Sequence, residues 1–325
     1  MSVGAVGRES NTGNKRRRNE DSFVVAPPLF AVADGMGGAQ AGEVASKLAA
    51  AALEDTDLGT AGGEERVVAL IQEANRRVYE RSNADPAASG MGTTITAALV
   101  EGTKVTFGHV GDSRAYLLRD GVMEQLTEDH SLVNELMKSG KLSAEEAETH
   151  PQRSVITRAL GTDPDVDVDT FVVEAHEGDL FLICSDGLTT MVGDEEILEL
   201  LEKYHDDLDR AAKSLVAAAN RAGGEDNITV VAFTISAEGG DTVRMPAAGA
   251  EDDTLDGIKA PSPTVDTMVV PPEQVEEALL VPGSPEALAA VRREPITPAA
   301  RVRLVLTMLV LLAIAAVLLV WGLLR

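Results

Sequence analysis

The sequence predicts an α+β fold built on antiparallel sheets. Three observations lead there. Apolar runs of strand length come in groups, as at 94–99, 105–110 and 114–118, and do not alternate one for one with helical stretches. Stretches with apolar residues at helical spacing flank those groups. No Walker-type or dinucleotide-binding glycine motif stands between a strand and a helix, which argues against a parallel doubly wound sheet.

Taken in order, residues 22–25 read as a short strand behind a basic and acidic run, RRRNED. Residues 29–33, LFAVA, read as a buried strand because the run is brief, apolar and bounded by Pro28 and Gly35. Gly35, Gly37 and Gly38 then predict a tight turn with uncovered carbonyls. Helices are expected over 42–53 and 64–83, where apolar residues recur at helical spacing. The strand group 94–118 follows. Two more strands are expected at 180–184 and 228–235, with helices over 194–204 and 208–221.

Three regions separate by composition. Residues 1–236 carry this globular pattern. Residues 237–300 are rich in Pro, Gly and acids and lack periodicity, the signature of a disordered linker. Within 301–325, residues 304–324 are apolar throughout. At 1.5 Å per residue that run spans roughly 31 Å, the thickness of a bilayer's hydrocarbon core, so a transmembrane helix is expected. Arg292, Arg293, Arg301 and Arg303 precede it and only Arg325 follows. That excess of positive charge predicts a single-pass protein of the cell membrane with its large N-terminal part in the cytoplasm. Trp321 suits the far interface, and no external sensory domain is expected.

Composition excludes several functions. The formal net charge of −25 argues against a nucleic-acid partner, since phosphate backbones need a basic face. Aromatics are only 3%, too few for a base-stacking surface. The lone Cys184 excludes an intrachain disulfide. The acidity itself reads two ways, as solubility or as a supply of metal-ligating carboxylates.

The second reading gains weight from placement. Asp34 ends the run 29–33, Asp112 follows 105–111, and Asp186 follows 180–185. Asp226 precedes the strand at 228, and Glu20 with Asp21 precedes the strand at 22. One acid beside a glycine at a strand end is an ordinary turn. Five in one domain converge if the strands share a sheet edge. Converged carboxylates repel one another, and a hard divalent cation relieves that repulsion. Arg16, Arg17 and Arg18 lie just before the first acid pair and offer a bidentate grip on a phosphate.

These residues carry a resemblance. The stretches RRRNEDSF, FAVADGMGG, GMGTTITAAL, HVGDSRAYLLRDG, LTEDHS, HPQRSVITRALG, LICSDGL and GGEDNITVVA, in that order over roughly residues 4–235, resemble the motif set of the protein phosphatase 2C family, in its bacterial branch. The resemblance implies two antiparallel sheets in a sandwich flanked by helices. It implies two Mn²⁺ or Mg²⁺ ions, with a third, weaker one. It implies hydrolysis of phosphoserine and phosphothreonine by a metal-bridging hydroxide. Carried over by motif, Asp34 resembles the bridging carboxylate and Gly35 a carbonyl ligand, with Asp186 and Asp226 completing the pair of ions. Asp112, with Asp186, resembles the ligands of the third ion. Glu20 and Asp21 resemble groups that hold metal-bound water. Arg16 resembles the phosphate-binding arginine, which leaves Arg17 and Arg18 facing solvent.

Met36 stands where eukaryotic members of that family place a histidine as proton donor. His109, inside a strand, reads as structural. His150 falls in 138–161, which resembles the family's mobile flap. Cys184 lies in an apolar run without the arginine loop of a thiol phosphatase and reads as core, and Ser185 and Ser113 read as supports, not nucleophiles. Phosphorylated proteins are the expected partners, membrane Ser/Thr kinases and their substrates foremost. The linker's Thr242, Thr254 and Thr267, each behind an aspartate, are candidate phosphorylation sites.

Overall fold

The computed structural model describes residues 1–37, 41–56 and 62–237, and the backbone of a short strand at 268–269. Gly38, the rest of the expected linker, its three threonines, the run 304–324 and the arginines beside it lie outside the described residues. Among the described residues no helix is long and apolar enough to cross a membrane.

Two five-stranded antiparallel sheets form the centre. One runs β1 (Ser2–Asn11), β13 (Ile228–Ser236), β12 (Leu180–Cys184), β8 (Arg114–Arg119), β9 (Val122–Gln125). The other runs β11 (Asp169–Glu174), β7 (Lys104–Val110), β6 (Ile95–Glu101), β3 (Leu29–Ala33), β2 (Ser22–Ala26). Alternation along each strand sends every second side chain into the space between the sheets. Phe30 and Val32 of β3, Phe107 of β7, Phe181 and Ile183 of β12 and Phe233 of β13 meet there. Phe30 stacks on Phe233 at 4.2 Å between centroids, and Phe181 lies 5.3 Å from Phe233. Each such buried side chain contributes roughly 1.5–3 kcal/mol.

The intervening residues face outward onto helices. Ala31, Ala33, Ala97 and Leu99 pack under α1 (Ala41–Asp55) and α2 (Gly63–Ala84). Tyr116, Leu182, Val230 and Ala232 pack under α6 (Asp194–Lys203) and α7 (Leu208–Ala222). Helix α7 starts where the Asp207 side chain accepts from Arg210 N at 3.1 Å, and it buries Leu208, Ala211, Ala212, Leu215, Val216 and Ala219. The order of layers is therefore helix, sheet, sheet, helix, the sandwich that the resemblance implies.

Three strands were not expected. β1 is ten residues of mostly small and polar type, and β9 and β11 are sheet edges. Within the expected glycine turn, the chain bends at Gly37, where φ is +142°, and not at Gly35. Gly35–Met36 is a two-residue strand, β4, paired with β5 (Gly92–Thr93). Asp186, expected to end a strand, opens the four-residue helix α5 (Asp186–Thr189). A smaller lobe at 132–161 holds α3 (Leu132–Lys138), α4 (Ala144–Glu148) and β10 (Val155–Ile156). There β10 pairs in parallel with β14 (Met268–Val269).

Candidate metal centre

Strand register brings the acids together. Ser22 pairs with Ala33, so Asp21 and Asp34 each stand one residue past the same end of the β2–β3 pair. Val32 pairs with Thr96 across β3 and β6, which sets Asp34 beside Thr94. Ile95 pairs with Val110, so the loop carrying Asp112 leaves from this end as well. In the facing sheet Cys184 pairs with both Arg114 and Val230. Asp186 and Asp226 therefore emerge at neighbouring strand ends. Five carboxylates from five separate chain positions meet at one end of the sandwich.

Their electrostatics record the crowding. Burial pushes Asp34 well above the ordinary carboxylate range, and the charges of Asp21, Asp186, Asp226 and Asp112 push it further. Asp186 is likewise raised by burial, then by Asp112, Asp226 and Asp21. Burial lifts Asp21 to about 6 and Asp112 to about 7. Asp21 Oδ1 and Asp186 Oδ1 are buried without a hydrogen-bond partner. A buried carboxylate oxygen left bare costs on the order of 1–3 kcal/mol or more, so these two atoms call for a positive partner.

An all-oxygen donor set with mutually repelling charges fits a hard cation such as Mn²⁺ or Mg²⁺. Among the described residues no three His, Cys, Asp or Glu side chains are drawn close enough together to hold a metal ion as they stand. Such an open arrangement suits ions that keep much of their water and take few protein ligands. Arg16 reaches the cluster from the loop after β1, its Nη2 2.8 Å from Asp226 Oδ2. Arg17 and Arg18 are exposed, as expected.

The backbone around Asp34 is held on all sides. Asp34 N donates to Thr94 Oγ1 at 2.9 Å, and Asp34 O accepts from Thr94 N and Thr93 Oγ1, both at 2.8 Å. Gly35 is hemmed in: a Cβ there would run into the carbonyls of Gly42 and Glu20. Only glycine lets α1 and the loop before β2 approach this closely. Glu20 is fixed through its backbone, where its N donates to Asn227 Oδ1 at 2.7 Å and its O accepts from Ser46 Oγ at 2.5 Å.

Two histidines sit behind the cluster. His109 Nε2 lies 3.1 Å from Glu128 O, and a carbonyl only accepts, so Nε2 carries the proton. Burial holds the ring neutral, its pKa lowered to about 3, so Nδ1 accepts from Thr96 Oγ1 at 2.9 Å. His109 is locked in place and offers no proton. His130 accepts from Gly111 N through Nδ1 at 3.0 Å and reaches Asp169 through Nε2 at 3.1 Å. Cys184 is buried, and burial pushes its thiol up to about 12, which removes it as a nucleophile. Ser185 Oγ donates to Asp21 Oδ2 at 2.9 Å, and Ser113 Oγ shares a hydrogen bond with Thr94 Oγ1 at 2.8 Å. Both serines support acids or their loops.

Comparison with known proteins shows the family. Residues 14–220, more than half the chain, match the family model described as protein phosphatase 2C. The serine/threonine phosphatase stp of Listeria innocua is 44% identical over 233 residues, 68% of this chain and 92% of that protein. The chain belongs to the protein phosphatase 2C family. Another relative in the protein phosphatase 2C family, the serine/threonine protein phosphatase PstP of Mycobacterium tuberculosis, is 42% identical over 251 residues, 76% of this chain and 48% of that protein. A crystal structure of the M. tuberculosis phosphatase superposes with a TM-score of 0.69 at 41% identity, covering 73% of this chain and all of that one. A PstP catalytic domain in complex with two manganese ions superposes with a TM-score of 0.67 at 39% identity, over 73% of this chain.

Four residues of this protein phosphatase 2C chain's centre had no role assigned from sequence: Thr94, Asn227, His130 and Arg158. Thr94 lies in GMGTTITAAL and Asn227 in GGEDNITVVA, and their polar side chains amid apolar runs were the available signal. Asn227 is buried, and its Nδ2 donates to Thr12 O at 2.9 Å and Arg18 O at 2.8 Å. Arg158 joins the smaller lobe to β11, its Nη1 2.6 Å from Asp169 Oδ1.

Proposed function

We propose that the chain is a metal-dependent protein phosphatase that hydrolyses phosphoserine and phosphothreonine on other proteins. The observation that carries this reading is the convergence of Asp21, Asp34, Asp112, Asp186 and Asp226 at one sandwich end, with Arg16 beside them. Two Mn²⁺ or Mg²⁺ ions would be held by Asp34, the Gly35 carbonyl, Asp186 and Asp226; a PstP catalytic domain is in complex with two manganese ions. Asp112 and Asp186 would hold a third, weaker ion. When bound, such ions supply a water of lowered pKa and neutralise charge on the phosphoryl group. The chain's own groups do the rest. Asp34, which feels the charges of the other four acids, would orient the nucleophilic water. Glu20 and Asp21 would accept from waters held by the ions. Arg16 grips the phosphate oxygens and keeps the ester in line. His109 is locked and Met36 has no proton, which leaves water or His150 of the smaller lobe as the source of the leaving alkoxide's proton.

The run 304–324 anchors this phosphatase in the cell membrane with its acid cluster on the cytoplasmic side. An anchored enzyme meets membrane proteins at high effective concentration, so membrane Ser/Thr kinases and their substrates are its natural targets. Phosphoproteomes with and without the protein identify them. For the chemistry, Asp34→Asn and Asp186→Ala are expected to lower turnover of a phosphothreonine peptide by about a thousandfold or more in saturating Mn²⁺, since each removes a ligand that charge stabilisation depends on. Near-normal turnover by either variant overturns the reading.

A further inference from the structure

The strand β14 belongs, by sequence, to the segment that follows the catalytic region, yet it is hydrogen-bonded to the smaller lobe. Val155 pairs with Met268 and Ile156 with Val269, in parallel. Residues 237–267 separate β14 from the end of β13 along the chain. The other edge of β10 is already used, since Ile156 bridges to Ser131 and Thr157 N donates to His130 O at 2.8 Å. Successive amides of a strand point to opposite edges. The Ile156 amide therefore faces β14.

This edge lies beside the acid cluster. Ile156 and Ala159 are buried together with Met36, the residue after Gly35. Leu160 and Thr93 exchange both backbone hydrogen bonds, at 2.9 and 3.2 Å, and Thr93 Oγ1 donates to the Asp34 carbonyl. Through His130 the same strand is tied to Gly111, next to Asp112. Arg153, two residues before β10, is exposed and makes no ion pair among the described residues. An exposed arginine beside a strand edge favours an acidic polypeptide.

We propose that the outer edge of β10 is a docking site for an extended polypeptide, occupied in cis by Met268–Val269, and that a phosphorylated substrate chain must displace this strand to lie along the same edge. Main-chain pairing asks little of side-chain sequence, so such an edge accepts many substrates. The linker is then a built-in competitor, and its release raises affinity for polypeptide substrates alone. The competition rests on the phosphatase reading; the strand pairing does not.

The test uses the full 325-residue chain loaded with Mn²⁺. Proline removes the donor that strand pairing needs, so the double variant Met268→Pro/Val269→Pro should free the edge. Hydrogen exchange at the Ile156 amide is expected to quicken at least tenfold in the variant, while Ala248→Pro, elsewhere in the linker, leaves it unchanged. The KM for a ten-residue phosphothreonine peptide is expected to fall severalfold with kcat unchanged, and hydrolysis of p-nitrophenyl phosphate to stay the same. Equal exchange rates in wild type and double variant overturn the docking. Faster exchange with an unchanged peptide KM overturns the competition. Loss of hydrolysis of both substrates in the wild type itself refutes the phosphatase reading, and the exchange rates still decide the strand.

Discussion

At the scale of single residues, the centre depends as much on neutral polar groups as on its acids. Asn227 is the clearest case. Its side chain accepts from Glu20 N and donates to Thr12 O and Arg18 O, so it holds the loop that carries Arg16. Asn227→Ala leaves a buried amide and two carbonyls unpaired, and a loss of about 2–4 kcal/mol in stability is expected by urea unfolding. The phosphopeptide KM should rise as well, because Arg16 loses its fixed position. An unchanged KM would show that Arg16 is placed by other means. The acids themselves were legible in the sequence because each stands where an apolar run stops, and the structure gathers them at one place. Asn227 and Thr94 were not, since a polar residue near a strand end looks the same whether it faces water or ties two loops together. The role of Gly35 was legible only in part. Its lack of a side chain does matter, but through the close approach of Gly42 and Glu20, not through a turn.

At the scale of elements, the strands read correctly from sequence are the inner ones and one edge, β2. β3 and β12 are buried on both faces and so are apolar throughout. β1, β9 and β11 escaped because they are edges with at most one buried residue each, where backbone pairing and not side-chain burial holds the strand; the edge β2 was legible through its apolar run FVV. β1 adds a further reason. A Cβ at Gly7 would run into the backbone of Leu208, so α7 crosses β1 at backbone distance and no large apolar side chain fits there to mark the strand. Gly7→Val should therefore push α7 off the sheet and cost about 2–4 kcal/mol, read as a lower midpoint in urea. Gly63→Ala, where a Cβ meets nothing within 4 Å but φ is +58°, should cost about 1 kcal/mol from backbone strain alone. Similar losses in the two variants would mean that α7 and β1 are free to separate. The two-residue strands β4, β5, β10 and β14 are beyond any periodicity argument, and they are the ones that tie the smaller lobe to the acids.

At the scale of the whole molecule, the acid cluster makes folding depend jointly on pH and metal. Asp21 and Asp112 hold their protons up to about 6 and 7 in the folded chain, against 3.8 for an ordinary aspartate, and Asp34 and Asp186 hold theirs well above that ordinary value. A group whose pKa is raised by folding lends its full stability below its unfolded pKa and loses it as pH rises through the folded value. With metal chelated, stability should therefore fall with rising pH. The buried histidines oppose this at lower pH: His109 and His130 are held neutral, so the folded state loses stability as pH falls below about 6.5. Above that value their contribution is flat, and the window from about pH 6.5 to 8.5 isolates the high end of the acid cluster. Glu73, lowered to about 2, is fully ionised across it in both states and adds no slope. Bound Mn²⁺ removes the penalty by replacing protons, and its affinity rises as the carboxylates ionise. Thermal unfolding with chelator should show Tm falling across this window, and with excess Mn²⁺ the gain in Tm should widen toward pH 8.5. The same scan on Asp34→Asn, which removes one of the mutually repelling charges, should show a higher Tm in chelator and a smaller gain from Mn²⁺. A gain in Tm that stays constant or narrows with pH would mean that the acids do not hold the ion.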